Sequence, residues 1–191
     1  MTLILMSWTR ALNPLLQPLR WLVARRWLRE AEVDAGLAWL QPGWRLNRVF
    51  ARVEGREWVA DDMLAVRLRC NGNARGWRAG QHVQLYLQLA GVRHSRSYSL
   101  TRVECDGCVE LAIRRQPGGR LSNHLLDHLS VGALLELGQA QGELCWPAAS
   151  TGVALLAAGS GITPLLGLLR EALARGFTAP INLLHYIREQ G

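Results

Sequence analysis

The chain has 191 residues, 49% hydrophobic and 19% charged, a balance that excludes a disordered polymer and allows one large domain or two small ones. Its net charge is +7 and every basic residue is arginine, which favours anionic partners; the arginines are scattered with no nucleic-acid-binding motif, so no nucleic acid is expected. Cys70, Cys105, Cys108 and Cys145 are too sparse for a secreted disulfide scaffold, no run of about 20 apolar residues spans a membrane, and residues 1–6 lack the features of a secretion signal, so the expected setting is cytoplasmic.

Residues 1–47 read as a helical N-terminal extension. Leu12, Leu15, Leu16, Leu19, Leu22 and Val23 recur at helical spacing, Pro14 and Pro18 start or break the helix, and Pro42-Gly43 ends the segment. Trp8, Trp21, Trp27, Trp39 and Trp44 are interspersed with Arg10, Arg20, Arg25, Arg26 and Arg29. Two readings stand. The extension packs on the domain behind it, or it lies in a membrane interface at the inner face, with tryptophan at headgroup level and arginine toward anionic lipid. Apolar residues and arginines are only partly segregated, which favours packing.

Residues 48–150 turn to period-two alternation. Strands are expected over 48–59, 63–69, 82–89, 95–101, 109–114 and 133–138, with one short helix over 122–129. Asp61-Asp62, Asn71-Gly72-Asn73 and Ala79-Gly80 punctuate them. Short antiparallel strands at this rhythm predict a barrel. Cys105-Asp106-Gly107-Cys108 lies between two strands and reads as a hairpin turn, not a metal or redox site. From residue 151 the character changes again. The continuous apolar run 153–158 predicts a strand buried on both faces; a glycine turn, a helix over 164–174 and a strand over 181–186 complete a βαβ unit.

Three strings carry chemistry. In Arg96-Ser97-Tyr98-Ser99, Arg96 and Tyr98 share a strand face: the guanidinium suits a phosphate, the ring a planar ligand. Alternation puts Ser99 on the other face, so its contact with the same ligand needs a strand bend or its backbone. In Gln116-Pro117-Gly118-Gly119-Arg120-Leu121-Ser122, two glycines open a helix with its N-cap expected at Leu121 or Ser122, where free amides suit an anion such as pyrophosphate; an ordinary capped turn is the alternative. Gly159-Ser160-Gly161-Ile162-Thr163-Pro164 is a glycine turn at a helix start, neither a GxGxxG fingerprint nor a P-loop.

In this order and spacing, the three strings resemble the ferredoxin–NADP reductase superfamily, and among it bacterial reductases of oxygenases and desaturases. The resemblance covers residue 48 onward. It implies a mainly-β, antiparallel Greek-key flavin-binding barrel (48–150), followed by the start of an α/β Rossmann-like NAD(P)H domain (151–191). It implies that Arg96 binds a flavin phosphate, that Tyr98 packs against the isoalloxazine, and that Ser99 lies near its reactive nitrogen. Ile113 and Arg114 match the strand whose backbone lines the flavin. Gly119, Leu121 and Ser122 match the pyrophosphate loop, which favours FAD over FMN. Gly159, Gly161, Thr163 and Pro164 match the nicotinamide-nucleotide loop, with Thr163 near the nicotinamide.

The implied function is electron transfer from NAD(P)H through FAD to a ferredoxin-type iron–sulfur protein or an oxygenase or desaturase, with the flavin carrying the chemistry and no catalytic side chain or metal required. His82, His94, His124, His128 and His185 are expected to be surface or packing residues. Family members continue past the first βαβ unit, and many carry a CxxxxCxxC module. A two-iron two-sulfur cluster is therefore expected only with a further C-terminal module, and the chain is expected to be a truncated form. The alternative function is a non-catalytic flavin-binding or interaction module.

Overall fold

The computed structural model describes residues 14–148 and 151–187. Leu12, Trp8 and Arg10 of the expected extension, and the 188–191 tail, lie outside the described residues. Six antiparallel strands close a barrel: β1 (Val49–Ala60), β2 (Met63–Cys70), β3 (His82–Leu89), β4 (Val92–Val103), β5 (Cys108–Arg114) and β6 (Leu134–Leu137). Their order around the wall is β1-β2-β5-β4-β3-β6, with β6 returning to pair with β1 at Val49↔Leu137. Alternation puts Leu64, Val66 and Leu68 of β2, Val83 and Leu85 of β3, and Leu111 and Ile113 of β5 in the interior, all with no exposed surface.

Helix α3 (Arg120–His128, so numbered because two helices precede the barrel) contributes Leu121, Leu125 and Leu126 to the same core, with Leu129 just beyond it. The N-terminal pair is α1 (Gln17–Ala24) and α2 (Glu30–Leu40). The extension is joined to the barrel by polar contacts as well as by buried Leu37 and Leu46. The Leu46 amide donates to buried Asp34 Oδ1 at 2.7 Å. Asn71 and Asn73 donate to the Arg48 carbonyl at 3.1 and 2.9 Å, and Asn73 also to that of Arg45 at 2.8 Å. Arg20 donates to the Leu46 carbonyl at 2.9 Å and to Asn73 Oδ1 at 3.2 Å. The Asn71-Gly72-Asn73 turn is thus a hub for the extension, more than the punctuation its composition suggests.

Helix α1 ends with Arg26 in the left-handed region (φ 61°). Its amide donates to the Val23 carbonyl at 2.9 Å and that of Trp27 to Leu22 at 3.0 Å, the bond pattern of a Schellman motif. A glycine normally takes this position; a side chain there costs about 1–2 kcal/mol.

After the barrel come β7 (Val153–Ala158), a single 3-10 turn at Gly159–Gly161, α4 (Ile162–Ala174) and β8 (Ile181–Tyr186), parallel to β7. Two expectations change. Strand β7 is buried on one face only: Val153 and Leu155 face α4, while Leu156 is 72% exposed, because among the described residues nothing covers the other face. Helix α3 starts at Arg120 with Gly119 as its N-cap, not at Leu121 or Ser122. A Cβ on Gly119 would stand 2.6 Å from Ser122 Oγ, so the tight entry requires glycine and draws the serine into the first turn.

Candidate functional site

Strands β4 and β5 pair only from Leu100↔Leu111 toward Val103↔Val109. Before that point they diverge: β4 stays with β3 through His82↔Ser99, while Ala112, Ile113 and Arg114 of β5 stay with β2. The wall therefore opens between 96–99 and 112–114, and a cleft of about 570 Å³ lies over the opening. An edge freed from its neighbour offers backbone groups as well as both faces of the strand. This is why Ser97 and Ser99 reach the cleft alongside Arg96 and Tyr98, resolving the alternation problem at Ser99.

The turn from β5 into α3 forms the next wall, with Gln116, Gly118 and Gly119, and then Arg120, Leu121 and Ser122 of the helix. Gly118 takes φ 70°, which turns the chain back toward the helix start. No side chain caps α3, so its first-turn amides remain as donors at the positive end of the helix dipole. The final wall comes from the 3-10 turn and the start of α4: Ser160 and Thr163, with Thr163 Oγ1 donating to the Ser160 carbonyl at 2.9 Å.

The charges in the cleft divide into two kinds. Arg114 is held by Asp62 at 2.6 Å, and its neighbour Arg115 by Asp127 at 2.7 Å. Arg96 bonds only to the carbonyl of Ser95 (2.9 Å), and neither Arg96 nor Arg120 meets a carboxylate among the described residues. Two guanidiniums and a helix N-terminus around one cleft make an anion-binding arrangement. Burial pushes the Tyr98 hydroxyl up to about 12, against an opposing pull from Arg96, so the phenol stays neutral. Its ring packs against the barrel core and presents the other side to the cleft.

Eight residues expected at a site thus line one cleft: Arg96, Tyr98, Ser99, Arg114, Gly119, Leu121, Ser122 and Thr163. The Ile113 side chain is fully buried in the core, because its register turns it into the barrel, which leaves the backbone of this strand, unpaired with β4 here, as the part expected at a ligand. Gly159, Gly161 and Pro164 shape the turn without lining the cleft. A Cβ on Gly159 or Gly161 would meet nothing within 4 Å, and Gly159 takes φ 52°, so the turn presents bare backbone to open space. His185 of β8 donates from Nε2 to the Gly159 carbonyl at 2.9 Å, fixing its tautomer and tying the turn to the second strand.

Met63, Ala112, Arg120 and Ser160 also line the cleft and were not expected there. Arg120 and Ser160 sit inside the two glycine strings, which is the signal that could have found them. Met63 and Ala112 arrive through the β2–β5 register, which has no local signature.

Two further clusters of chemistry-bearing groups lie outside the cleft. Cys105-Asp106-Gly107-Cys108 is a hairpin turn, with Gly107 at φ 90° and the Glu104 amide bonded to the Cys108 carbonyl at 2.8 Å. Glu104, Asp106 and Cys108 come within 4.8 Å of one another. Arg69 bonds both Glu54 and Asp106, and burial pushes the Cys108 thiol up to about 12, so this corner is already neutralised and its sulfur is a poor ligand. His124 and His128 pack ring to ring at 4.6 Å on α3.

Residues 51–146, half of the chain, match the family described as oxidoreductase FAD-binding domain. The flavohemoprotein of Pseudomonas aeruginosa is 31% identical over 85% of this chain and 41% of its own length. The ferredoxin–NAD(+) reductase component of the alkene monooxygenase system of Xanthobacter autotrophicus is 36% identical over 81% of this chain and 46% of its own. Among solved structures, a cytochrome P450 reductase of Amycolatopsis aligns with a TM-score of 0.63 at 31% identity, over 74% of this chain and 44% of that one. The chain spans less than half the length of the curated relatives it matches. The barrel with its opened wall, the paired glycine turns and the match along residues 51–146 agree: the chain belongs to the oxidoreductase FAD-binding domain family, within the ferredoxin–NADP reductase superfamily.

Proposed function

We propose that the chain is the flavin-binding reductase part of a cytoplasmic electron-transfer protein. It carries electrons from NAD(P)H through FAD to a ferredoxin-type iron–sulfur protein, or to an oxygenase or desaturase. Residues 48–150 form the FAD unit and 151–191 belong to the NAD(P)H unit. The observation that carries this reading is the convergence of Ser160 and Thr163 with 96–99 and 116–122 on one cleft, so that a nucleotide on the second glycine turn abuts a flavin held by the first.

FAD fits the residues present. Arg96 and the Arg120–α3 terminus are two separate anion sites, as a dinucleotide's phosphates need, and Gly119 leaves room where a Cβ would intrude. In this scheme Arg96 grips a phosphate, Tyr98 packs on the ring system as a neutral phenol, and Ser99 offers a hydroxyl and a strand edge to the ring's polar rim. Thr163, oriented by its bond to Ser160, walls the cleft against water and positions the nicotinamide. When bound, the flavin supplies the chemistry, accepting an electron pair and releasing electrons singly.

Titration of the apoprotein with FAD, followed by anaerobic mixing with NADH or NADPH, tests the reading. Flavin uptake followed by bleaching of its visible band is expected. No uptake overturns the flavin assignment. Uptake without bleaching leaves a flavin-binding module without reductase activity.

A further inference from the structure

The end of α1 and the turn from it to α2 carry side chains that the cleft does not use. Trp21 and Trp27 are 50% and 71% exposed, with ring centroids 5.8 Å apart in edge-to-face contact. The Arg25 guanidinium lies over the Trp21 ring, 4.9 Å from its centroid. Arg26, Leu28 and Arg29 complete the turn, all exposed. None of the three arginines meets a carboxylate among the described residues. By contrast Arg20 of the same helix turns inward, onto the Leu46 carbonyl and Asn73. The helix thus separates an inner face that joins the barrel from an outer face of tryptophan and arginine.

We propose that this outer turn is a docking surface for an anionic phospholipid bilayer. Tryptophan side chains, apolar but with one polar N–H, settle at the headgroup boundary, and arginine carries its charge to lipid phosphates along an apolar stem. The charge pattern favours an extended anionic surface over a single acidic ligand. No aspartate or glutamate occurs anywhere in residues 1–29, a stretch that holds five arginines and three tryptophans. Arg26 adds a second line of evidence. It occupies a left-handed position where glycine would be relaxed, so the turn keeps a charged side chain at the expense of backbone strain. The same Schellman geometry folds Trp27 back beside Trp21 and leaves both rings on the outside.

The inference is independent of the flavin reading. It is tested by co-sedimentation of the full chain with vesicles of phosphatidylcholine alone, or with about one-third phosphatidylglycerol. Binding is expected only to the anionic vesicles and is expected to weaken with salt. Arg26→Gly removes one charge while relieving the backbone, so the protein stays folded and its affinity for the anionic vesicles falls about fivefold. The triple change Arg25→Gln, Arg26→Gly and Arg29→Gln lowers affinity about hundredfold. Trp21→Ser with Trp27→Ser lowers it at both low and high salt. Thermal melting and FAD titration of each variant report whether the barrel is intact. A chain that ignores anionic vesicles, or variants that bind them as the parent does, overturns the proposal; in the first case an acidic protein is the occupant to test.

Discussion

The barrel and the βαβ unit solve the same burial problem by different means. The barrel wraps its sheet onto itself, so its inward leucines and valines are fully enclosed and only the β4–β5 opening interrupts the wall. In the βαβ unit β7 has one face under α4, and among the described residues nothing covers the other face of the β7–β8 pair: Leu156, Leu184 and Tyr186 are 72%, 63% and 75% exposed. Parallel sheets ordinarily have both faces covered. The side of the cleft proposed for the flavin is therefore built by a self-contained unit. The side proposed for the nicotinamide depends on how α4 is held against β4.

Two contacts on β4 contribute to the holding, beside the burial of Leu168 and Ala172. Gly167 lets α4 lie so close to β4 that an added Cβ would stand 2.3 Å from the Leu100 carbonyl. Arg170 donates to the Thr101 carbonyl at 3.1 Å and to Glu110 at 2.6 Å, where Thr101 Oγ1 also donates at 2.8 Å. Strand β4 thus serves both units, with Arg96–Ser99 in the cleft and Leu100–Thr101 under the helix. The largest expected effect follows. Gly167→Val lifts α4, moves Thr163 from the cleft and slows flavin reduction by NAD(P)H about hundredfold or more, while FAD affinity stays within about twofold. Anaerobic stopped-flow absorbance and FAD titration read the two separately. A parallel loss of both would mean that the barrel is not self-contained.

The complementary change is Arg96→Ala. A charge-assisted bond to phosphate contributes about 1.5–3 kcal/mol, so FAD affinity should fall about tenfold to hundredfold. Reduction of the variant, once saturated with FAD, should keep a rate near that of the parent, because among the described residues Arg96 makes no hydrogen bond or ion pair to α4. Fluorescence titration and stopped-flow at saturating FAD check this. Arg170→Met should be milder than Gly167→Val. Glu110 keeps its bond from Thr101, and an ion pair this exposed contributes about 1 kcal/mol or less, so a reduction rate lowered a few-fold with unchanged FAD affinity is expected.

Local signals and long-range register separate what the chain's sequence discloses from what it conceals. The strands 82–89, 153–158 and 181–186 are legible to the residue because each is a hydrophobic pattern bounded by turn residues. The two glycine strings locate both ends of the cleft for the same reason. The order β1-β2-β5-β4-β3-β6 has no local trace, nor does the place where β4 leaves β5, so Met63 and Ala112 could not be assigned. The run 153–158 looks two-sided because composition reports the chain's preference and not what covers it. Asn71 and Asn73 read as turn formers, yet their amides bridge to segments more than 20 residues away. Arg26 carries no glycine and so no sign of its left-handed turn.

The smallest expected effect sharpens the idea of a self-contained barrel through its far corner. Burial pushes the Glu54 carboxyl up, but hydrogen bonds from Arg69 and Cys108 outweigh it and leave the group below its ordinary value. The Cys108 amide and then Arg69 likewise lower Asp106. In both cases the unfolded chain binds protons more readily than the folded one. The stabilisation is therefore complete above the unfolded carboxylate range, about pH 4, and is lost as pH falls through the lower folded values. Urea unfolding should show stability dropping below about pH 4, and Arg69→Met should flatten that part of the profile while lowering stability at neutral pH. The same substitution should leave FAD affinity at neutral pH unchanged, since this corner lies outside the cleft. A shift in FAD affinity would show that the strand ladder from Arg69↔Cys108 to Met63↔Arg114 transmits disturbance to the flavin side, and that the barrel responds as one body.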